Sequence, residues 1–221
     1  MSGWKNKLYF GDNLDILRRH VADESVDLIY LDPPFNSNAT YNVLFSEKGG
    51  EQSAAQITAF DDTWHWGLES EEAYHELVIG GGGLAEVVSA FRLFLGQNDM
   101  MAYLVMMAAR LKELHRVLKG EGSIYLHCDP TASHYLKILM DAVFGPANFR
   151  NEIVWKRVTA HSDAKRWSPV ADVIFYYSKS DRVRWNPQYV PHNARHVASK
   201  YRLADDDGRR YMLDNMTSPN P

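Results

Sequence analysis

The run Val26-Asp27-Leu28-Ile29-Tyr30-Leu31, followed by Asp32-Pro33-Pro34-Phe35, constrains this chain more than any other stretch. The first part is nearly continuously apolar, which predicts a strand buried on both faces of a sheet. Two prolines then forbid further ladder bonds, so the chain must leave the sheet at Asp32. A strand of this kind implies an α/β domain with helices on both faces. It also sets a carboxylate at the carboxyl end of a strand, the edge where open α/β sheets bind ligands.

Hydrophobic periodicity extends this frame. Lys7-Leu8-Tyr9-Phe10 reads as a short strand ended by Gly11. Asp12 or Asn13 caps a helix whose apolar stripe is Leu14, Leu17 and Val21. Residues 36–66 have no clear period and read as a long functional loop. Residues 71–78 suit a short helix, and Gly80 to Gly83 suit a flexible joint better than a phosphate cradle, since no strand precedes them and no Lys-Ser/Thr follows. Residues 99–118 form the clearest helix, with Leu104, Met107, Ala108, Leu111 and Leu118 on one face. A strand at 124–128, a helix through Leu136, Leu139, Met140 and Val143 that Gly145-Pro146 stops, and strands at 152–155 and 170–177 complete the alternation. From Arg184 the pattern decays. The expected fold is a mainly parallel sheet of the doubly wound kind.

Composition removes whole classes of function. With 45% hydrophobic and 24% charged residues the chain can build a core, yet no run approaches the roughly 18 apolar residues of a membrane helix. No secretory leader opens it, and a lone cysteine, Cys128, forms neither an internal disulfide nor a cysteine-built zinc site. A cytoplasmic protein with no membrane partner is the expectation. No metal site is read: Trp64-His65-Trp66 has no second ligand at metal spacing, and His127 reads as a structural residue. The net charge of -4 does not advertise nucleic acid. Basic residues nevertheless gather late in the chain, from Lys156 and Arg157 to Arg209 and Arg210, and one basic face suffices to bind DNA.

The Asp-Pro-Pro-Phe turn suits one chemistry. An exocyclic base amine is a poor nucleophile, because its lone pair is delocalised into the ring. Acceptors that hold its hydrogens favour the pyramidal geometry needed for attack. The Asp32 carboxylate and the Pro33 carbonyl are two such acceptors, Pro34 stiffens the turn, and Phe35 offers a face for an extruded base. As a bare tetrapeptide the motif reads equally well as a surface turn. The apolar strand before it and the Gly11-Asp12-Asn13 turn upstream favour the chemical reading.

These segments, in this order, resemble a known family. Residues 8–14, residues 25–36, residues 122–129, residues 135–145, Asn151-Glu152-Ile153-Val154-Trp155-Lys156-Arg157 and Phe175-Tyr176-Tyr177-Ser178-Lys179 are similar to N6-adenine/N4-cytosine DNA methyltransferases of the β arrangement. The resemblance covers most of residues 7–182. It implies a Rossmann-like methyltransferase fold, S-adenosylmethionine as cofactor, and double-stranded DNA as substrate, with a restriction endonuclease and a second copy of the chain, as a homodimer, as candidate partners. Asp32, Pro33, Pro34 and Phe35 become the catalytic loop. Asp12 and Asp32 become cofactor contacts, Asp12 being also a plain helix cap. Asn36, Tyr41, Lys156, Arg157, His161, Lys165 and Arg166 become candidate DNA contacts, against the plainer reading of pinned aromatics and a solvated loop.

One departure qualifies the resemblance. The family's Phe-x-Gly-x-Gly cofactor loop, which comes late in the β arrangement, does not occur here. The expectation is a truncated or split enzyme, with residues 1–182 its catalytic region and residues 183–221 the start of a target-recognition segment. Asp before Pro-Pro favours adenine N6. The alternatives are cytosine N4 and an inactive DNA-binding fragment. Methylation of a protein glutamine fits less well, given Asp32 and the basic segment. A nicotinamide dehydrogenase needs a G-x-G-x-x-G turn that is absent.

Overall fold

The computed structural model describes residues 5–33, 40–42, 58–61, 64–157, 165, 167 and 170–213. The chain forms two compact units, Met1–Arg184 and Trp185–Pro221. In the first, helix α1 (Asn13–His20) precedes strand β1 (Val26–Leu31) and a short antiparallel pair, β2 (Thr40–Asn42) and β3 (Thr58–Asp61). Helices α2 (Leu68–Ile79), α3 (Gly82–Leu95) and α4 (Asp99–Val117) follow, then strand β4 (Leu118–Cys128), helix α5 (Ser133–Phe144) and strands β5 (Phe149–Lys156) and β6 (Ala171–Ser178). The pair β2–β3 lies within the stretch read as a structureless loop.

The main sheet has the order β1-β4-β6-β5. This corrects the expectation of a mainly parallel sheet. Strands β1, β4 and β5 share one direction, but β6 is reversed and lies between β4 and β5, so only the β1–β4 ladder is parallel. Helix α5 returns the chain from β4 to the start of β5, as a parallel crossover requires, and β6 runs antiparallel to both of its neighbours.

Two further expectations change with it. Among the described strands β1 lies at the edge of the sheet, and it is not buried on both faces: Ile29 is buried, while Leu28 and Tyr30 are 58% and 57% exposed. Residues 7–10 form no strand, Leu8 and Phe10 are exposed, and the Tyr9 ring stacks on His20 instead. An apolar run signals a strand but cannot report how many partners the strand has. The core draws Ile29, Ile124, Leu126, Cys128, Phe175 and Tyr177 from one face of the sheet, and the helices gather there rather than on both faces.

Helix α4 is the centre of the unit. Asn98 caps it by accepting from the Met101 N–H at 2.9 Å, and residues 101–109 are all buried. The predicted one-sided stripe was therefore too narrow: α1, α2, α3 and α5 all pack on this helix. Arg116 near its end donates to the carbonyls of Leu17 and Val21 and pairs with Asp23 and Glu113, which fastens α1 beside it. Helix α3 gives little sequence signal because it opens on glycines. Gly81 and Gly82 have φ of 67° and 76°, so the glycine run makes a tight reversal between α2 and α3. The second unit holds helix α6 (Ala194–Lys200), capped by Asn193, and a two-stranded ribbon of β7 (Leu203–Ala204) and β8 (Arg210–Tyr211). Among the described residues, no helix is long and apolar enough to cross a membrane.

The β1–β4 ladder depends on a close approach. The register jumps from Val26↔Leu118 to Leu28↔Ser123, and residues 119–122 bulge between. A Cβ on Gly122 would lie 2.7 Å from Leu118 Cδ1 and 3.0 Å from the Asp27 carbonyl oxygen. Leu118 is fully buried and has nowhere to retreat. Gly122→Ala is expected to cost about 1–3 kcal/mol in urea unfolding; an unchanged midpoint would show that the ladder can open at this point without loss.

Candidate active site

Alternation along paired strands decides which side chains meet at the carboxyl edge. Tyr30 lies opposite Tyr125, and Leu31 opposite Leu126, so Asp32 emerges beside His127 on the face that Tyr30 and Tyr125 share. On the other side of β4, His127 pairs with Ile174, which makes Asp172 its diagonal neighbour on the same face. Trp155 of β5 lies opposite Asp172. A row of polar and aromatic side chains, Asp32, His127, Asp172 and Trp155, therefore runs across the strand ends.

The contacts follow this register. His127 Nδ1 lies 3.5 Å from Asp32 Oδ1 and 3.3 Å from the Tyr30 hydroxyl. Its Nε2 lies 3.2 Å from Asp172 Oδ2, and the Arg157 guanidinium meets the other Asp172 oxygen at 3.3 Å. The Asp172 side chain is only 3% exposed, whereas that of Asp32 is 58% exposed. A buried carboxylate requires compensating partners, and His127 and Arg157 supply them. Asp32 is thus an accessible carboxylate at the edge of the sheet, backed by a histidine that a buried carboxylate anchors. It can accept hydrogen bonds from an incoming amine.

The other predicted residues fall as follows. Pro33 is buried directly after Asp32, where the chain leaves the sheet. Lys156 ends β5 and is exposed, as is Lys165. Arg157 faces Asp172 and remains about half exposed. Tyr41 belongs to β2, opposite Phe60. Pro34, Phe35, Asn36, His161 and Arg166, and the side chain of Tyr41, lie outside the described residues.

Asp12 lies in a different place. Its Oδ1 caps α1 by accepting from the Leu14 N–H at 2.7 Å, and both its oxygens meet Arg110 Nη2 at 2.9 Å. Burial pulls the Arg110 guanidinium below its ordinary pKa, and Asp12 opposes that pull. The pair lines a hollow of about 770 Å³ together with Leu14, Trp64, His65 and Glu69. Asp32 is not among its described walls. The structure therefore brings Asp32, Arg157 and the neighbourhood of Lys156 together and leaves Asp12 at its own hollow.

Two residues of the row were missed in the sequence. His127 had been read as structural, and Asp172 had drawn no attention. The available signal was positional: a histidine at the end of a strand beside the Asp32 strand, and an acidic residue at the start of an otherwise apolar strand.

A family model described as DNA methylase, for N6 and N4 methyltransferases, matches residues 26–215. The chain belongs to the N6/N4 DNA methylase family. Within it, the chain is 28% identical over 179 residues to the type III restriction-modification enzyme StyLTI Mod subunit of Salmonella typhimurium, covering 79% of this chain and 24% of that protein. It is 26% identical over 206 residues to the type II methyltransferase M.EcaI of Enterobacter cloacae, covering 92% of this chain and 36% of that protein. The chain thus spans about a quarter to a third of the length of these relatives. Among solved structures, PvuII DNA methyltransferase (cytosine-N4-specific) aligns with a TM-score of 0.40 at 14% identity, covering 78% of this chain and 49% of that one.

For a member of the N6/N4 DNA methylase family, the chemistry of Cys128 matters as a contrast. Its side chain is fully buried on the helix-covered face. Burial first, and then the nearby Asp129, Asp172 and Glu152 carboxylates, push its thiol up to about 12. A thiol this far above neutrality is no nucleophile. At pH 8 iodoacetamide is expected to leave Cys128 unmodified in the folded protein and to alkylate it fully in urea; stoichiometric labelling without denaturant would contradict the burial.

Proposed function

We propose that this N6/N4 DNA methylase transfers a methyl group from S-adenosylmethionine to the exocyclic N6 of adenine in double-stranded DNA. The observation that carries the reading is the accessible Asp32 carboxylate at the carboxyl edge of the sheet, backed by His127 and followed by a buried proline. Asp32 accepts one amine hydrogen, and the Pro33 carbonyl accepts the other. This pulls the nitrogen lone pair out of conjugation with the ring. As the nitrogen–carbon bond forms and the carbon–sulfur bond breaks, the amine gives up a proton, and the Asp32 oxygen that holds it is placed to take it. Phe35 stacks on the extruded base, and Pro34 fixes the turn. Asp before Pro-Pro supports adenine over cytosine N4.

S-adenosylmethionine, when bound, supplies an electrophilic sulfonium methyl. The residues present offer part of a site for such a molecule. A hollow of about 770 Å³ lies within the range of small-molecule sites. Asp12 uses about three of its roughly four acceptor positions on Leu14 and Arg110, which leaves one for a cofactor hydroxyl or amine. Asp12 and Asp32 are the two carboxylates assigned to the cofactor in this reading. Lys156, Arg157, Lys165, His161 and Arg166 hold the phosphate backbone without reading sequence, with Asn36 and Tyr41 as further DNA contacts. Residues 1–182 act as the catalytic region of the β arrangement and residues 183–221 as part of the target-recognition segment, a partition that the boundary between Arg184 and Trp185 supports. A restriction endonuclease as partner, a homodimer and a cytoplasmic location complete the proposal. The restriction-modification relatives support the first of these.

The test is Asp32→Asn in the product of the native gene. Removing one preorganised acceptor is expected to lower methyl transfer to DNA by about 10²–10³-fold with DNA affinity retained. Transfer within a few-fold of the unaltered enzyme would overturn the assignment of Asp32.

A further inference from the structure

The buried carboxylate of Asp172 has no part in the chemistry proposed above, and it stands where an apolar residue would cost less. Among the described residues it is the one buried carboxylate. Replacing a buried ionic group by apolar packing is often neutral or stabilising, so stability alone does not explain it. What it touches does. Asp172 Oδ2 lies 3.2 Å from His127 Nε2, and the opposite ring nitrogen faces Asp32 at 3.5 Å. The imidazole thus spans the space between the accessible carboxylate and the buried one.

We propose that His127 and Asp172 are positioning residues for Asp32, an inference that rests on the reading of Asp32 as the amine acceptor. Asp32 lies past the last ladder pair of β1, and among the described strands only β4 pairs with β1, so ladder bonds do little to limit its side-chain torsions. A carboxylate free to rotate presents its acceptor lone pairs in many directions, and only one suits the amine. His127 removes that freedom. Asp172 holds Nε2, so that the ring plane is fixed, and Nδ1 is then presented to Asp32 Oδ1. The second Asp32 oxygen is left to face the base. Each ring nitrogen faces a carboxylate oxygen.

Two other groups tune the arrangement. The Tyr30 hydroxyl, 3.3 Å from Nδ1, faces the same nitrogen as Asp32 and closes the side toward β1. Arg157 pairs with the second Asp172 oxygen at 3.3 Å, so two carboxylates meet two potential cations. Arg157 has so far been read as a phosphate contact. Its bond to Asp172 gives it a second role, which couples the basic segment after β5 to the alignment of Asp32. His127 touches neither the base nor the methyl donor in this account, and acts through Asp32 alone.

Two measurements test this, one without catalysis. In the 221-residue chain labelled with 15N-histidine, Asp172→Asn is expected to move the His127 Nε2 resonance and Asp32→Asn the Nδ1 resonance, each leaving the other histidines in place. Resonances unmoved by both substitutions would overturn the bridge. In the product of the native gene, His127→Asn and Asp172→Asn are each expected to lower kcat on the order of 10²-fold, with KM for DNA unchanged. The double variant is expected to be no worse than His127→Asn alone, since the two act as one unit. If Asp32→Asn abolishes transfer while His127→Asn leaves kcat intact, the positioning role fails and the methyl-transfer reading stands. If Asp32→Asn is itself fully active, that reading fails first. Losses that add and that track a fall in Tm would assign His127 and Asp172 to folding and overturn the proposal.

Discussion

The parallel pairing of β1 with β4 is the constraint on which the rest depends. Each strand contributes one side chain just beyond its apolar run, and the register Leu31↔Leu126 brings Asp32 beside His127. A slip of one residue would turn Asp32 toward the helix-covered face and bury it among Leu126 and Cys128. The bulge at residues 119–122, the absence of a Cβ at Gly122 and the full burial of Leu118 all serve to set this register. The row of Asp32, His127 and Asp172 is thus a product of strand alignment.

Much of this was legible in the sequence. The apolar run, the two prolines that end it and the caps of α1, α4 and α5 are local signals, and the structure places a strand or helix at each of these positions. What was not legible is non-local. Whether β1 lies at the edge or the centre of a sheet depends on which strands pair with it, and the alternation of Leu28, Ile29 and Tyr30 looks the same either way. The reversal of β6 likewise shows only in its pairing with β4 and β5, not in its own apolar run. Asp172 escaped attention because an acidic residue at the start of a strand usually faces water. Only its diagonal relation to His127 turns it inward.

The charge distribution also acquires a physical meaning. With a net charge of -4, the chain as a whole has no long-range attraction to a polyanion. Lys156 and Arg157 lie at the same strand ends as Asp32. The Asp12–Arg110 pair, by contrast, spends a cation internally at the wall of a hollow. Three carboxylates thus differ by place: Asp32 is open to solvent, Asp172 is buried against a histidine, and Asp12 is tied to an arginine beside a cavity.

The central claim is that this edge methylates an exocyclic amine, and adenine N6 in particular. It is tested most directly by nucleoside mass spectrometry of DNA from cells that express the native gene, against cells that carry the Asp32→Asn form. In a host that makes no N6-methyladenine of its own, the account predicts that base in the first and far less of it in the second. N4-methylcytosine in its place would contradict the choice of base, and 5-methylcytosine, or equal methylation in both, would contradict the account itself.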